Sequence, residues 1–459
     1  MGKFVDFQQH LLQRYDVTGP RYTSYPTAAQ FAESFGEAMY REAASYSNRH
    51  GKPLSLYFHI PFCSTVCYYC ACNRIVTGDR QQASAYLKDL YREIELQADL
   101  FGHRLVHQLH WGGGTPTFLS PEEMSSLMQF IRSHFRLLGD NSGDYSIEID
   151  PRSIRPGAMA DLRALGFNRV SFGVQDFNPD VQRAVNRIQP FEQTAAIMQA
   201  ARAQGFRSIN VDLIYGLPLQ TVASFDATLE QVLELQPDRL SVFNYAHLPH
   251  LFKVQRQIDE TQLPPAEVKL EILRHTVEQL TAAGYVYIGM DHFAKPGDPL
   301  AEAQRDGTLY RNFQGYTTHG DCDLIGMGVT AISMIDNIYS QNFKTTEAYG
   351  HALATGHLPI SRGIRLSVDD IIRRDAIMTL ICCRHLDMNA FSVKHGISFR
   401  DYFQPELKRL ESMEDDGLLD IGSHAISVRP AGWLLLRNIC MVFDAFVCGP
   451  QSRVFSRTI

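Results

Sequence analysis

The chain has 459 residues, 45% of them hydrophobic and 20% charged, which excludes a single small module and a chain disordered throughout. Lys and Arg number 43 against 50 Asp and Glu, a net charge of -7, and this balance argues against a protein built to grip nucleic-acid backbone. One large domain of about 250–350 residues with appendages is expected.

Taken in chain order, residues 1–50 read as an N-terminal arm. Pro20 and Pro26 keep the stretch Thr18 to Thr27 extended or turned. No charged-then-apolar leader opens the sequence, and no window reaches about eighteen uninterrupted apolar residues, so a cytoplasmic protein with no membrane span is expected.

From residue 51 a repeating unit begins, in which a short apolar run meets a Gly, Pro or acidic corner and then a helix-length amphipathic stretch. That alternation predicts parallel strands joined by crossover helices. Strands are predicted over 54–60, 106–111, 145–149, 169–174, 209–214 and 240–245, with a seventh candidate at 285–289. The fold class expected is α/β, a partial (βα)6-type parallel barrel. Its longest helix, 82–101, sets Tyr86, Leu87, Leu90, Tyr91, Ile94 and Leu96 in a helical rhythm. The strands end on reactive or backbone-special residues: His59 and Cys63, Gly112-Gly113-Gly114-Thr115, Glu148 and Asp150, Gln175 and Asp176, Asp212 and Gly216, Asn244 and His247. Active sites of parallel barrels gather on that rim.

Beyond about Ser367 the rhythm changes to consecutive helices and a hairpin over 417–430 centred on Gly422-Ser423. Ser367-Val368-Asp369-Asp370 reads as a helix cap. This predicts a small, mostly helical, winged-helix-like domain. Arg373, Arg374, Lys408 and Arg409 are interspersed with acidic residues such as Asp415 and Asp416, so a lid or docking element is favoured over a DNA reader. The expected divisions are the arm 1–50, a catalytic barrel with extensions at 51–362, and a C-terminal domain at 363–459.

Of nine cysteines, four fall within ten residues as Cys63-x3-Cys67-x2-Cys70-x-Cys72, directly after the first strand. In a reducing compartment such a cluster points to metal or catalysis rather than disulfides. Closely spaced thiolates suit an iron–sulfur cluster. Structural zinc usually draws on a second ligand pair, and no downstream Cys-x2-Cys or His pair of that kind is found. If Cys63, Cys67 and Cys70 bind and Cys72 does not, one iron is left open to a chelating ligand. The scattered Cys322, Cys382, Cys383, Cys440 and Cys448 are expected to pack as small hydrophobes.

The spacing Cys-x3-Cys-x2-Cys after a first strand resembles the radical S-adenosylmethionine superfamily. That resemblance implies a [4Fe–4S] cluster on Cys63, Cys67 and Cys70, whose open iron takes the amino and carboxylate groups of S-adenosylmethionine. Gly19 to Thr27, Tyr57 to Cys63, Cys72-Asn73, His110 to Pro116, Gly173 to Phe177 and Arg311 to Tyr316 together resemble the oxygen-independent coproporphyrinogen III oxidase family. The likeness runs from about residue 10 to Phe455-Ser456-Arg457. It implies decarboxylation of two propionate arms of coproporphyrinogen III to vinyl groups in haem synthesis.

By the same resemblance, Tyr57, Gly113, Glu148, Ala246 and Ile332 line the S-adenosylmethionine on the cluster. Tyr69, Gly114, Thr115, Gln175, Arg187 and Asp212 match positions around a second S-adenosylmethionine, with Tyr69 standing where Phe is usual. Cys72 is expected to serve the reaction rather than to ligate iron, with Phe313 and Gln314 as catalytic support and Tyr22 and Tyr25 covering the substrate. His59 is expected beside the cluster. Read without the family, Glu148 is equally a solvated strand-end charge, Arg187 an exposed helix charge, and Ala246 and Ile332 packing. The implied partners are coproporphyrinogen III, a low-potential electron donor and an electron acceptor; no nucleic acid or membrane partner is expected, and the chain is expected to be a monomer. Two competing readings are a haem chaperone on the same scaffold, where no cysteine is expected at the Cys72 position, and a zinc-stabilised binding protein.

Overall fold

Leu54–Ile60 is apolar at most positions, as a strand covered on both faces must be, and it forms β1 of a parallel sheet. In the computed structural model, which describes residues 5–447, it is followed by β2 (Leu105–Gly113), β3 (Asp144–Ile149), β4 (Arg169–Gln175), β5 (Ser208–Tyr215) and β6 (Arg239–Asn244). These six pair in sequential order, each parallel to the next. They are the six βα units expected from the sequence. On its other edge β1 pairs in parallel with Asp323–Met327, and the sheet continues antiparallel through Ile332–Ile335, Ile338–Asn342 and Ile360–Arg365. That mixed extension carries no crossover helices between its strands up to Asn342, so its residues lacked the βα rhythm.

The described residues divide into two compact units, one of Phe31–Ile272 with Asp321–Arg365, the other of residues 5–30, 273–320 and 366–447. The larger unit holds the sheet just described and the helix Glu37–Asn48, which buries Tyr40, Ala43 and Ala44. In the smaller unit, helices Val368–Cys383, Met388–His395 and Gln404–Asp415 stand with an antiparallel sheet of His385–Asp387, Ala425–Val428 and Leu419–Ile421. Ser367 and Asp370 form the expected capping box. The seventh strand candidate lies here too, as Val286–Gly289. It is no seventh βα unit: positive φ at Gly289 and Met290 turns the chain back at once, and the strand pairs antiparallel with His292–Ala294. Tyr22 and Tyr25 are buried in this unit, where the Tyr22 hydroxyl donates to Asp444 at 2.8 Å and Ala445 N–H donates to Tyr25 at 3.2 Å. Cys322, Cys382 and Cys440 are buried and Cys383 is half-buried, as expected of packing thiols. Cys448 and the segment Phe455-Ser456-Arg457 lie outside the described residues. Among the described residues no helix is long and apolar enough to cross a membrane.

The long helix runs Arg80–Phe101, capped by Asp79, whose carboxylate accepts from Gln81 N–H. Its buried stripe includes Tyr86, Leu87, Leu90 and Ile94 as predicted, but also two polar residues, Glu93 and Gln97. Each has partners that only the tertiary fold supplies. Glu93 accepts from Gly328 N–H at 2.7 Å, Asn342 Nδ2 at 2.7 Å and the Tyr349 hydroxyl at 2.5 Å; Gln97 accepts from Tyr40 at 2.9 Å. Burial pushes the Glu93 carboxyl up to about 7, against the pull of those three donors.

The folded protein therefore holds the Glu93 proton to about pH 7, whereas the unfolded chain releases it near 4.5. Stability falls as pH rises through that window, by at most about 1.4 kcal/mol per pH unit from this group. Glu93→Gln has no proton to release, so its thermal midpoint is expected to decline less than the wild type's between about pH 5 and about pH 7. Equal declines in the two proteins would remove Glu93 as the cause.

Candidate active site

The segment after β1 makes no long regular element, so its backbone polar groups must find partners elsewhere. Phe62–Cys63 pairs in parallel with Ile75–Val76 and closes the cysteine loop at its base. Within it, Cys70 N–H donates to the Cys67 carbonyl at 3.2 Å. Two other carbonyls are met by side chains from distant parts of the chain, Asn186 Nδ2 donating to Val66 and Gln255 Nε2 to Tyr69, and the nearby Arg74 donates to both Cys70 and Cys72. The fold holds this loop by its main chain and leaves the thiols to other work.

All described cysteines are free thiols. Burial holds the Cys63 thiol up at about 11, and its sulfur lies 3.4 Å from Thr115 Oγ1. Cys70 is lowered to about 6, chiefly by a hydrogen bond from the Cys72 thiol, with Arg74 assisting against burial. Cys72 is raised by the same contact. Two arginines aim at Cys67: Arg152 Nη2 at 3.3 Å and Arg187 Nη1 at 3.4 Å from its sulfur. Asp150 joins them, 2.7 Å from Arg152 and 3.1 Å from Arg187, and although burial opposes its ionisation the two guanidinium groups hold its carboxyl below the ordinary value. Three soft thiol donors with fixed positive charge beside them fit a thiolate-bound iron–sulfur cluster.

Around the loop stand the ends of the parallel strands. His59 Nδ1 lies 3.0 Å from the Tyr57 hydroxyl and its Nε2 lies 3.0 Å from the Asn73 carbonyl. A carbonyl only accepts, so Nε2 carries the proton and Nδ1 accepts from Tyr57; burial, which lowers the His59 pKa, favours this neutral ring. His59 thus ties the end of β1 to the cluster loop. Glu148, at the end of β3, accepts from His110 Nε2 at 3.2 Å and from Gly113 N–H at 3.0 Å. Burial opposes its ionisation, but these contacts win and its carboxyl sits below the ordinary value. Tyr57 stacks on His110 with ring centroids 5.8 Å apart.

Gln175 ends β4 with φ 71, a left-handed conformation uncommon for a side chain of its size, and its Oε1 is buried without a partner. Asp212 on β5 accepts from Ser171 and Asn210, each at 2.8 Å, and burial pushes its carboxyl up to about 6. Arg187 is 6% exposed, following the short helix Pro179–Ala184, so it is not the exposed helix charge that its local sequence suggests. Nη1 serves Asp150 and Cys67, Nη2 serves the Gly173 carbonyl, and Nε alone is unpartnered. Gly114 and Thr115 donate to the carbonyls of Ile60 and Phe62, both at 2.8 Å, stitching the glycine turn to the cluster loop. Tyr69 packs on Val181, Val185, Leu217, Tyr245 and Ile258. The Ala246 carbonyl accepts from Gln255 at 3.2 Å, and Ile332 opens the strand Ile332–Ile335.

Phe313 and Gln314 belong to the smaller unit, between Tyr310–Asn312 and Gly315–Thr317 of a tight hairpin. Local pattern did not mark Arg152, His110 or Gln255 as parts of the site. Arg152 had one available signal, the Asp150-Pro151-Arg152 run at a strand end; Gln255 had none.

Gly113 has φ 114, and a Cβ there would fall 2.7 Å from His59 Cε1. Gly113→Ala is therefore expected to displace His59 from Asn73, at a cost of about 1–3 kcal/mol of backbone strain before the clash is counted. Iron content after anaerobic reconstitution reads the effect: full iron with an unshifted melting temperature would show that the turn tolerates the methyl group.

Six parallel strands with a cysteine-rich loop after the first are the arrangement of a radical S-adenosylmethionine protein, and residues 57–232 match the Radical SAM superfamily model. Residues 366–435 match the HemN C-terminal domain. The sequence is 54% identical to an oxygen-independent coproporphyrinogen III oxidase of Pseudomonas aeruginosa over 99% of both chains, and 52% identical to that of Escherichia coli over 99% of both. The solved structure of coproporphyrinogen III oxidase from Escherichia coli, described as a radical SAM enzyme, superposes with a TM-score of 0.93 at 50% identity, covering 97% of this chain and all of that one. The chain belongs to the family of oxygen-independent coproporphyrinogen III oxidases.

Proposed function

We propose that this chain decarboxylates two propionate side chains of coproporphyrinogen III to vinyl groups without oxygen, giving protoporphyrinogen IX in haem synthesis. The observation that carries the reading is the identity of 54% over 99% of both chains, in a sequence that holds Cys63-x3-Cys67-x2-Cys70. A [4Fe–4S] cluster held by Cys63, Cys67 and Cys70, with S-adenosylmethionine on it, would supply the radical chemistry that removes a hydrogen from the carbon β to the carboxyl group. Loss of carbon dioxide and one electron then leaves the vinyl group, so each turnover needs a low-potential donor before and an acceptor after. The protein's own share is to bind, to orient and to exclude water.

Cys63, Cys67 and Cys70 are the proposed iron ligands. Tyr57, Gly113, Glu148, Ala246 and Ile332 would line the S-adenosylmethionine on the cluster, with the ionised Glu148 available to accept from its amino or ribose hydroxyl groups. A second S-adenosylmethionine is proposed among Tyr69, Gly114, Thr115, Gln175, Arg187 and Asp212; the buried, unpartnered Gln175 Oε1 and Arg187 Nε support it, because such atoms favour a polar ligand. Cys72 would serve the reaction with Phe313 and Gln314 in support. We assign these roles to a cytoplasmic monomer built as arm 1–50, catalytic region 51–362 and C-terminal domain 363–459.

Anaerobic incubation with coproporphyrinogen III, reductant and S-adenosylmethionine is expected to give a product lighter by two carbon dioxide units and their hydrogens, read by mass spectrometry. No such product from the reconstituted protein would overturn the proposal. Serine at any of Cys63, Cys67 or Cys70 should abolish the cluster, whereas Cys72→Ser should keep its iron and lose decarboxylation by at least about a hundredfold, a loss of ~2.7 kcal/mol or more in transition-state stabilisation. Iron loss in the Cys72 variant would make Cys72 a ligand instead.

A further inference from the structure

The hairpin Tyr310–Asn312 and Gly315–Thr317 holds an uncommon arrangement of charge. Arg311 is 5% exposed and makes no ion pair among the described residues; its Nε and Nη1 are buried and have no hydrogen-bond partner. Its cross-strand neighbour is Tyr316, and the guanidinium carbon sits 4.6 Å from the centre of that ring. A tyrosine face attracts a cation but does not satisfy its N–H groups. The Tyr316 hydroxyl is also buried and unpartnered, and so is Gln314 Nε2 in the turn.

A second arginine of the same unit, Arg384, acts on Tyr316 and spends its Nη2 on the neutral carbonyls of Tyr287 and Ile288, with its Nε unpartnered. A buried guanidinium without a counter-ion is strongly disfavoured, so such a group persists where a ligand supplies the charge. The unpartnered atoms share a character: the Arg311 and Gln314 nitrogens are donors only, and the Tyr316 hydroxyl can donate. An acceptor-only anion answers all of them. The planar fork of Arg311 suits a carboxylate in particular.

We propose that Arg311, with Tyr316 beside it and Gln314 in the turn, forms a carboxylate-binding site that anchors a substrate. This rests on the reading of coproporphyrinogen III as the substrate, whose propionate arms supply carboxylates; S-adenosylmethionine carries another. The anchored carboxylate is held rather than cleaved, so the site adds no redox step. Arg311 is a binding residue here and takes no proton from the substrate.

The test uses the anaerobic holoenzyme and two probes that need no turnover. Coproporphyrin III, the oxidised and unreactive macrocycle, is titrated by fluorescence, and S-adenosylmethionine by equilibrium dialysis, against wild type, Arg311→Gln, Arg311→Lys and Tyr316→Phe. Arg311→Gln is expected to weaken one probe at least tenfold, Arg311→Lys to recover part of the loss, and Tyr316→Phe to cost a few-fold, with iron content unchanged. Loss of coproporphyrin affinity alone identifies the propionate as the ligand, and loss of S-adenosylmethionine affinity alone identifies the amino-acid carboxylate. Unchanged affinity for both probes in a folded Arg311→Gln protein would overturn the site. Failure of the wild type to bind coproporphyrin at all would instead count against the substrate reading, which keeps the two failures apart. If Arg311→Gln does not fold, Tyr316→Phe and Arg311→Lys decide: both binding like wild type would overturn the proposal.

Discussion

Thiolates gathered in one short loop repel one another unless positive charge is fixed beside them, and the placement of that charge governs the mouth of this barrel. The charge comes from Arg152 and Arg187, which converge on Cys67 from the ends of different βα units. Neither could stay in place alone, since two buried guanidinium groups repel as well. Asp150 lies between them and accepts from both, which turns a repulsive pair into a rigid cation–anion–cation bridge. The bridge ties the end of β3 to the segment that follows the helix Pro179–Ala184 after β4. A lysine at either arginine would keep the charge but could not serve sulfur, carboxylate and carbonyl from one planar fork, as Arg187 does.

What local pattern reveals, and what it conceals, follows the same physics. Leu54–Ile60 was legible to the residue because a strand covered on both faces must be apolar at most positions. The rim residues Glu148, Gln175 and Asp212 were legible as interruptions of that apolarity. Arg187 was not, because its burial depends on Asp150 and Cys67, 37 and 120 residues away in the chain. Glu93 was hidden for the opposite reason: it occupies a helix position that periodicity reserves for an apolar side chain, and it is tolerated there only because Gly328, Asn342 and Tyr349 return to meet it. The strand at Val286–Gly289 had the right composition for a barrel unit, and a two-residue left-handed turn settled its partner instead. Periodicity thus reports the immediate covering of an element. It is blind to polar groups whose partners arrive through the fold.

Gln175 brings these constraints together. Its φ of 71 is unfavourable for a residue with a Cβ and a long side chain, and such strain persists only where the neighbouring structure over-determines the backbone. The next residue does so. The Asp176 carboxylate accepts from Asn178 N–H at 2.6 Å, Gln220 Nε2 at 2.6 Å and Thr228 Oγ1 at 2.7 Å, so it is pinned from three directions in a buried site. Gln220 in turn receives Leu217 N–H and donates to the Ile214 carbonyl, which locks the turn after β5 to the turn after β4. Pinned on that side, the chain leaves β4 with Gln175 in the left-handed region and its Oε1 buried without a partner. A buried polar atom without a partner is energetically costly, and the cost is relieved when a donor reaches it. The strain at Gln175 is thus held in place by a carboxylate one residue away, through partners on the turn after β4, the turn after β5 and the helix bearing Thr228.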